Sequence, residues 1–79
     1  MTTVTLYTKP GCDLCDDAED VIELVRQTHR FDLERRNILD DLADYERYKH
    51  DIPVILVNGV EIARHRLNET KLVEALARA

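Results

Sequence analysis

The sequence has little of several residues that mark particular protein classes. Among 79 residues there are two glycines, two prolines and two cysteines. So little glycine and proline argues against a collagenous or disordered chain. Two cysteines are too few for the disulfide framework of a small secreted domain, and no apolar run approaches the roughly 20 residues that span a bilayer. We therefore expect a single globular domain over residues 1–79, located in the cytoplasm.

Basic residues are outnumbered by acidic ones. The chain carries 11 Lys and Arg against 16 Asp and Glu, a formal net charge of -5. A negatively charged chain repels phosphate backbones and anionic lipid surfaces, which argues against nucleic acids and membranes as partners. Two closely spaced cysteines in a cytoplasmic chain are instead typical of redox or metal chemistry.

The spacing of apolar residues predicts the element order βαβαββα. The Asn58-Gly59 pair is a strong hairpin signal between the last two strands, and Leu67 and Leu72 fit a hydrophobic staple around an Asn68 cap. The predicted strands are residues 4–8, 31–38, 53–57 and 60–63. The first predicted helix runs from Leu14 to a basic end at Arg26, His29 and Arg30. The second runs from an Asp40 cap to about Lys49, and its apolar positions are Leu42, Tyr45 and Tyr48. The third begins after Asn68. This order indicates an α/β domain with a mixed four-stranded sheet flanked by three helices, in two or three layers; periodicity leaves the direction of the third strand open.

The Cys12-Asp13-Leu14-Cys15 motif follows a strand and opens a helix. Residues three apart in a helical turn have Cα atoms roughly 5 to 6 Å apart, within the range that a disulfide accepts. A thiolate in the first turn lies beside unpaired N–H groups at the positive end of the helix dipole, which lowers its pKa from about 8.5 toward ~7 or below. We predict that Cys12, at the loop, attacks first and that Cys15, one turn further in, resolves the intermediate.

Charged neighbours are predicted to tune this thiolate in opposite directions. Lys9 supplies a cation that stabilises a thiolate on Cys12. Asp13 opposes it, because a like charge ~6 Å away costs on the order of 0.7 to 3 kcal/mol at an effective dielectric of about 20 to 80. This cost is comparable with the favourable effect of the dipole. We expect Cys12 to be less acidic than in motifs without an acidic residue.

The segment TLYTKPGCDLC (residues 5–15), the Ile52-Pro53 pair before an apolar strand and the element order resemble the glutaredoxins, within the thioredoxin-fold superfamily. The likeness covers nearly the whole chain and is greatest to short bacterial glutaredoxin-like proteins with a KPGCxLC motif. It implies a sheet ordered 2-1-3-4 with the third strand antiparallel to the first. It also implies a cis Pro53 facing Cys12, which would turn the backbone N–H and C=O of Ile52 toward the thiols to bind a substrate main chain. By the same resemblance, Lys9 would bind a carboxylate of glutathione as substrate.

The segment after the last strand departs from familiar glutaredoxins. Those proteins carry a Gly-Gly pair followed by acidic residues that hold glutathione, whereas this chain has ARHRL (residues 63–67). The missing glycines remove an easy close approach of backbone to ligand, which argues against the use of glutathione. Glutathione is kept as an alternative co-substrate. Arg64 and Arg66 could instead pair with carboxylates of another substrate.

These features predict a monomeric thiol–disulfide oxidoreductase that uses a Cys12/Cys15 dithiol cycle. Its expected partners are a protein or small disulfide substrate and a thiol or flavoprotein reductant, with no dissociable cofactor and no bound metal. Two alternatives stay open: the C-x-x-C pair could bind a metal or an iron–sulfur cluster in a dimer, or the domain could be a non-catalytic peptide-binding module. The three histidines, His29, His50 and His65, are predicted to be surface residues.

Overall fold

The chain alternates strands and helices in the predicted order. The computed structural model describes all residues from 1 to 79. Its elements are β1 (Thr3–Thr8), α1 (Asp13–Arg26), β2 (Asp32–Asn37), a 3₁₀ turn (Ile38–Asp40), α2 (Leu42–Tyr48), β3 (Val54–Val57), β4 (Val60–Arg64) and α3 (Glu69–Arg78). None of the helices combines the length and the apolar character that crossing a membrane requires.

The four strands form one mixed sheet in the order β2-β1-β3-β4. β1 pairs in parallel with β2 and antiparallel with β3, and β3 and β4 form an antiparallel hairpin. Asn58 and Gly59 at the hairpin turn have φ of 50° and 83°, and two successive positive φ values define the type I′ turn that matches strand twist. The sheet order and the direction of β3 are those that the resemblance implies.

Helices cover both faces of the sheet, because alternate residues of a strand point to opposite sides. On one face, α1 and α3 close over a cluster of 12 buried residues, which includes Leu6, Ile22, Ile55 and Leu72. On the other face, a second cluster contains Cys15, Ile38, Tyr48, Ile52 and Val54. The molecule therefore has three layers, and the smaller cluster contains one of the two cysteines.

Several element ends differ from the sequence-based prediction. The first helix ends at Arg26, so His29 and Arg30 lie beyond it. The cap of α2 is Asp41, whose Oδ1 accepts a hydrogen bond from the Asp44 N–H at 3.1 Å. Asp40 instead ends the 3₁₀ turn that follows β2, because this turn places Ile38 in the smaller cluster and moves the start of α2 one residue along.

The short helix α2 buries only one of its three predicted apolar positions. Tyr48 is 7% exposed, whereas Tyr45 is 37% and Leu42 76% exposed. Residues three apart are rotated by about 60° from exact alignment in a helix of 3.6 residues per turn, so Leu42 lies about 120° around the helix from Tyr48. Tyr48 anchors α2 by packing against Tyr7 of β1, with ring centroids 4.4 Å apart. Burial raises the pKa of the Tyr7 hydroxyl.

Candidate redox site

The two cysteines lie where the loop after β1 becomes α1. Gly11 has φ of 77°, a left-handed conformation that glycine adopts without a steric penalty, and it lets the chain turn into the helix. Cys12 is the N-cap of α1 and Cys15 lies one turn in. The two residues form a disulfide with a Cα–Cα separation of 5.2 Å. This separation lies within the range that the C-x-x-C spacing predicts.

The two sulfur atoms have different surroundings. Cys15 is 1% exposed and belongs to the smaller cluster, whereas Cys12 is half-buried and packs against the edge of that cluster. The backbone N–H of Cys15 donates a hydrogen bond to Sγ of Cys12 at 3.2 Å. The sulfur thus occupies the place of an N-cap side-chain oxygen. A backbone N–H donor and the positive end of the helix dipole therefore both lie at the Cys12 sulfur.

The Ile52–Pro53 segment lies just before β3, far from the cysteines in the sequence, and contributes to the same cluster. Its peptide bond is cis, as the resemblance implies. Ile52 packs in the cluster that contains Cys15, and Pro53 is fully buried. Ile52 lies outside the strands, and its backbone N–H and C=O make no hydrogen bond within the chain. These two groups are free to bond an extended main chain.

The charged residues that the sequence singled out near Cys12 lie on the surface. Lys9 in the loop is exposed, as is Asp13, the first residue of α1. Asp16 and Asp17, one turn further on, are exposed as well. Carboxylates therefore surround the start of α1, and Lys9 is the cation that precedes them in the chain.

Arg64 pairs with two carboxylates of the chain itself. Its Nε and Nη2 donate to Glu61 at 2.6 and 2.9 Å, and its Nη1 lies 3.0 Å from Asp51 Oδ2. Hydrogen bonding to Glu61 raises the pKa of the Arg64 guanidinium, and the same bond lowers the pKa of Glu61. Arg64 is therefore already engaged by two carboxylates, whereas Arg66 is exposed.

Sequence reasoning missed Asp51 and His65 as neighbours of Pro53. The backbone N–H of His65 donates to the Pro53 carbonyl at 2.8 Å, and His65 Nε2 lies 3.5 Å from Asp51 Oδ1. The side chains of His50 and His65 are exposed, as predicted, and that of His29 is half-buried. Residues three apart in a strand point to opposite faces, so the contact between Glu61 and Arg64 depends on the irregular β3–β4 register between them and was not visible from their spacing. Nothing in the sequence pairs Arg64 with a residue 13 positions earlier either.

Other features of the surface lie apart from the cysteines. A groove between β4 and α3 is lined by Val60, Ile62 and Ala75, and neither cysteine contributes to it. The chain has no cluster of three or more His, Cys, Asp or Glu side chains arranged to hold a metal ion.

Comparisons with known proteins agree with this arrangement. The glutaredoxin-like domain family (DUF836) matches residues 3–77. The glutaredoxin-like protein YDR286C homolog of Dictyostelium discoideum is 32% identical over 75 residues, which cover 87% of this chain and 69% of that protein. The X-ray structure of XcR50 from X. campestris has a TM-score of 0.78 and 28% identity, covering 96% of this chain and 97% of that chain.

A more distant likeness shows the fold alone. A mutant thioredoxin from Halobacterium salinarum has a TM-score of 0.73 at 13% identity, covering 98% of this chain and 73% of that chain. The mixed four-stranded sheet with three helices is a thioredoxin fold, and the cysteine pair at disulfide distance supports a redox-type function. The chain belongs to the glutaredoxin-like (DUF836) domain family.

Proposed function

We propose that this protein is a thiol–disulfide oxidoreductase that reduces protein or small-molecule disulfides through Cys12 and Cys15. The observation that carries the proposal is a pair of cysteines at disulfide distance, of which one caps a helix and the other is 1% exposed. Helix-capping thiolates are reactive nucleophiles. A buried partner one turn away is shielded from substrate but within bonding reach of the first sulfur.

The proposed cycle begins with the reduced dithiol. The Cys12 thiolate attacks one sulfur of the substrate disulfide, the substrate S–S bond breaks, and the departing sulfur leaves as a thiolate that takes up a proton. Cys15 then loses its proton and attacks Sγ of Cys12. The mixed disulfide breaks, the second substrate thiol is released, and a Cys12–Cys15 disulfide forms. The substrate gains two electrons and two protons, which a thiol or flavoprotein reductant returns to the protein.

The Ile52–Pro53 segment is proposed to hold the substrate main chain. Its support is the free backbone N–H and C=O of Ile52, in a residue whose side chain shares a cluster with Cys15. Main-chain hydrogen bonds recognise extended peptides without regard to sequence. Lys9 is proposed to meet a substrate carboxylate and to stabilise the thiolate, and Asp13 to oppose that charge.

The cycle uses only the two thiols of one chain, so we propose that the protein acts as a monomer and needs no dissociable cofactor. We also propose that it is located in the cytoplasm. Glutathione enters only as an alternative reductant that would resolve the mixed disulfide in place of Cys15. Reduction of a peptide disulfide by wild-type protein, Cys12→Ser and Cys15→Ser separates the two routes. The dithiol cycle predicts that either substitution abolishes turnover, also with glutathione present.

Two results would count against this proposal. Retention of glutathione-dependent turnover in Cys15→Ser would replace the dithiol cycle with a monothiol one. Retention of turnover in Cys12→Ser would remove Cys12 from the reaction altogether.

A further inference from the structure

Arg64 connects the edge strand β4 to the residue that precedes the Ile52–Pro53 segment. Its guanidinium donates two hydrogen bonds to Glu61 on its own strand and forms an ion pair with Asp51 at 3.0 Å. Arg presents its donors in a planar fork, so bonds to two carboxylates fix the orientation of the group as well as its position. The Arg64 side chain is 45% exposed and that of Asp51 31%, so the pair lies at the surface.

Hydrogen bonds fix the backbone on both sides of Ile52 but leave Ile52 itself free. The Asp51 N–H donates to the Tyr48 carbonyl at 2.8 Å, and the Pro53 carbonyl accepts from the His65 N–H at 2.8 Å. His65 holds this position with φ of 66°, a left-handed conformation that is uncommon for a residue with a side chain. Uncommon backbone conformations of this kind concentrate at functional sites. Ile52 is thus a short unbonded link between two fixed neighbours.

We infer that Arg64 is a positioning residue for substrate binding: by holding Asp51, it orients the free N–H and C=O of Ile52 toward an extended substrate main chain. This inference rests on the proposed function. Its chemical consequence is selectivity for disulfides carried on a peptide, because a small disulfide without a main chain has no amide groups to pair with Ile52. Groups held in place before binding give more affinity than groups ordered on binding.

The test compares two substrates in the same variants of the full chain. One substrate is a disulfide between two blocked cysteine-containing peptides, and the other is 2-hydroxyethyl disulfide, which has no amide group. In Arg64→Ala, the ratio of kcat/KM for the peptide to kcat/KM for the small disulfide should fall at least about fivefold, the scale of one weakened hydrogen bond. The fall should come mainly from a higher KM for the peptide.

Arg26→Ala is the matched control. The Arg26 side chain is 44% exposed and pairs with a glutamate three residues earlier, as Arg64 does at 45% exposure, but it lies in the last turn of α1. The substrate ratio of this variant should equal that of the wild type. Arg64→Lys should recover part of the ratio, because an ammonium group can still pair with Asp51 but cannot form the planar fork.

An unchanged ratio in Arg64→Ala, or an equal fall for Arg26→Ala, would overturn the inference. Loss of turnover to the same extent with both substrates would also overturn it, because it would make the role of Arg64 merely structural. If Arg64→Ala does not fold, Asp51→Asn removes the ion pair while keeping the side-chain shape and must show the same fall in the ratio. A wild-type protein that reduces neither substrate would instead contradict the proposed function.

Discussion

The backbone N–H of Cys15 is hydrogen-bonded to the sulfur of Cys12 at 3.2 Å, so one cysteine contributes directly to the environment of the other. The residue whose sulfur accepts this bond is also the less buried of the two cysteines. The helix cap and the greater exposure therefore belong to the same residue. Cys15, which is 1% exposed, adds its N–H to the capping site and keeps its own sulfur within the cluster.

Removing the negative charge of Asp13 should make the Cys12 thiol easier to ionise. Asp13 is the exposed first residue of α1, directly after Cys12, and its carboxylate disfavours a second negative charge nearby. In the reduced Asp13→Asn protein, the pH at which alkylation of Cys12 is half-maximal should fall by about half a pH unit. Asp20→Asn, two turns further along α1, is the control and should leave that pH within error. No change in Asp13→Asn, or a rise, would refute this electrostatic role.

The two adjacent aspartates before α2 should differ in their effect on stability. Asp41 caps the helix through its hydrogen bond to the Asp44 N–H, whereas Asp40 belongs to the preceding 3₁₀ turn. Asp41→Ala should lower the free energy of unfolding by about 1 kcal/mol. Asp40→Ala should lower it by less than about 0.5 kcal/mol. Urea unfolding of both variants measures the difference, and the opposite order would move the cap back to Asp40.

The ion pair of β4 should be visible in the titration of Glu61. Hydrogen bonds from Arg64 lower the pKa of Glu61, so this pair stabilises the fold fully above the unfolded-state pKa of about 4.3. That contribution is lost as the pH falls through the lower folded-state pKa. NMR titration should show the pKa of Glu61 rising toward about 4.3 in Arg64→Ala. Superimposable Glu61 curves in the two proteins would contradict the pairing.

Local signals predicted much of the fold. Asn58 and Gly59 take the positive φ values that the hairpin requires, and Asn68 caps α3 through a 2.8 Å bond from the Lys71 N–H. Leu67 and Leu72 are both buried in the larger cluster, as the staple pattern indicates. These features depend on residues a few positions apart. The order and directions of the strands depended on the resemblance, because strand pairing joins distant segments.

Features set by distant contacts were not accessible from the sequence. Asp40 and Asp41 are chemically identical, and the burial of Ile38 decides which of them can cap α2. Leu42 matches an apolar spacing of three, but it lies about 120° around α2 from Tyr48 and is exposed, whereas Tyr48 is buried. At the site, the motif predicted the cysteine pair. The bond between Asp51 and Arg64 arises only when the loop before β3 and the end of β4 meet.

Trapping of the mixed disulfide tests the central claim most directly. Reduced Cys15→Ser is exposed to a peptide disulfide, and the covalent adduct is located by mass spectrometry of proteolytic fragments. Our account predicts one adduct, on Cys12, formed at the rate of the first step of the wild-type reaction, and no adduct of comparable yield on Cys15 in the Cys12→Ser protein. An adduct that forms readily on Cys15, or no adduct on Cys12, would contradict the account.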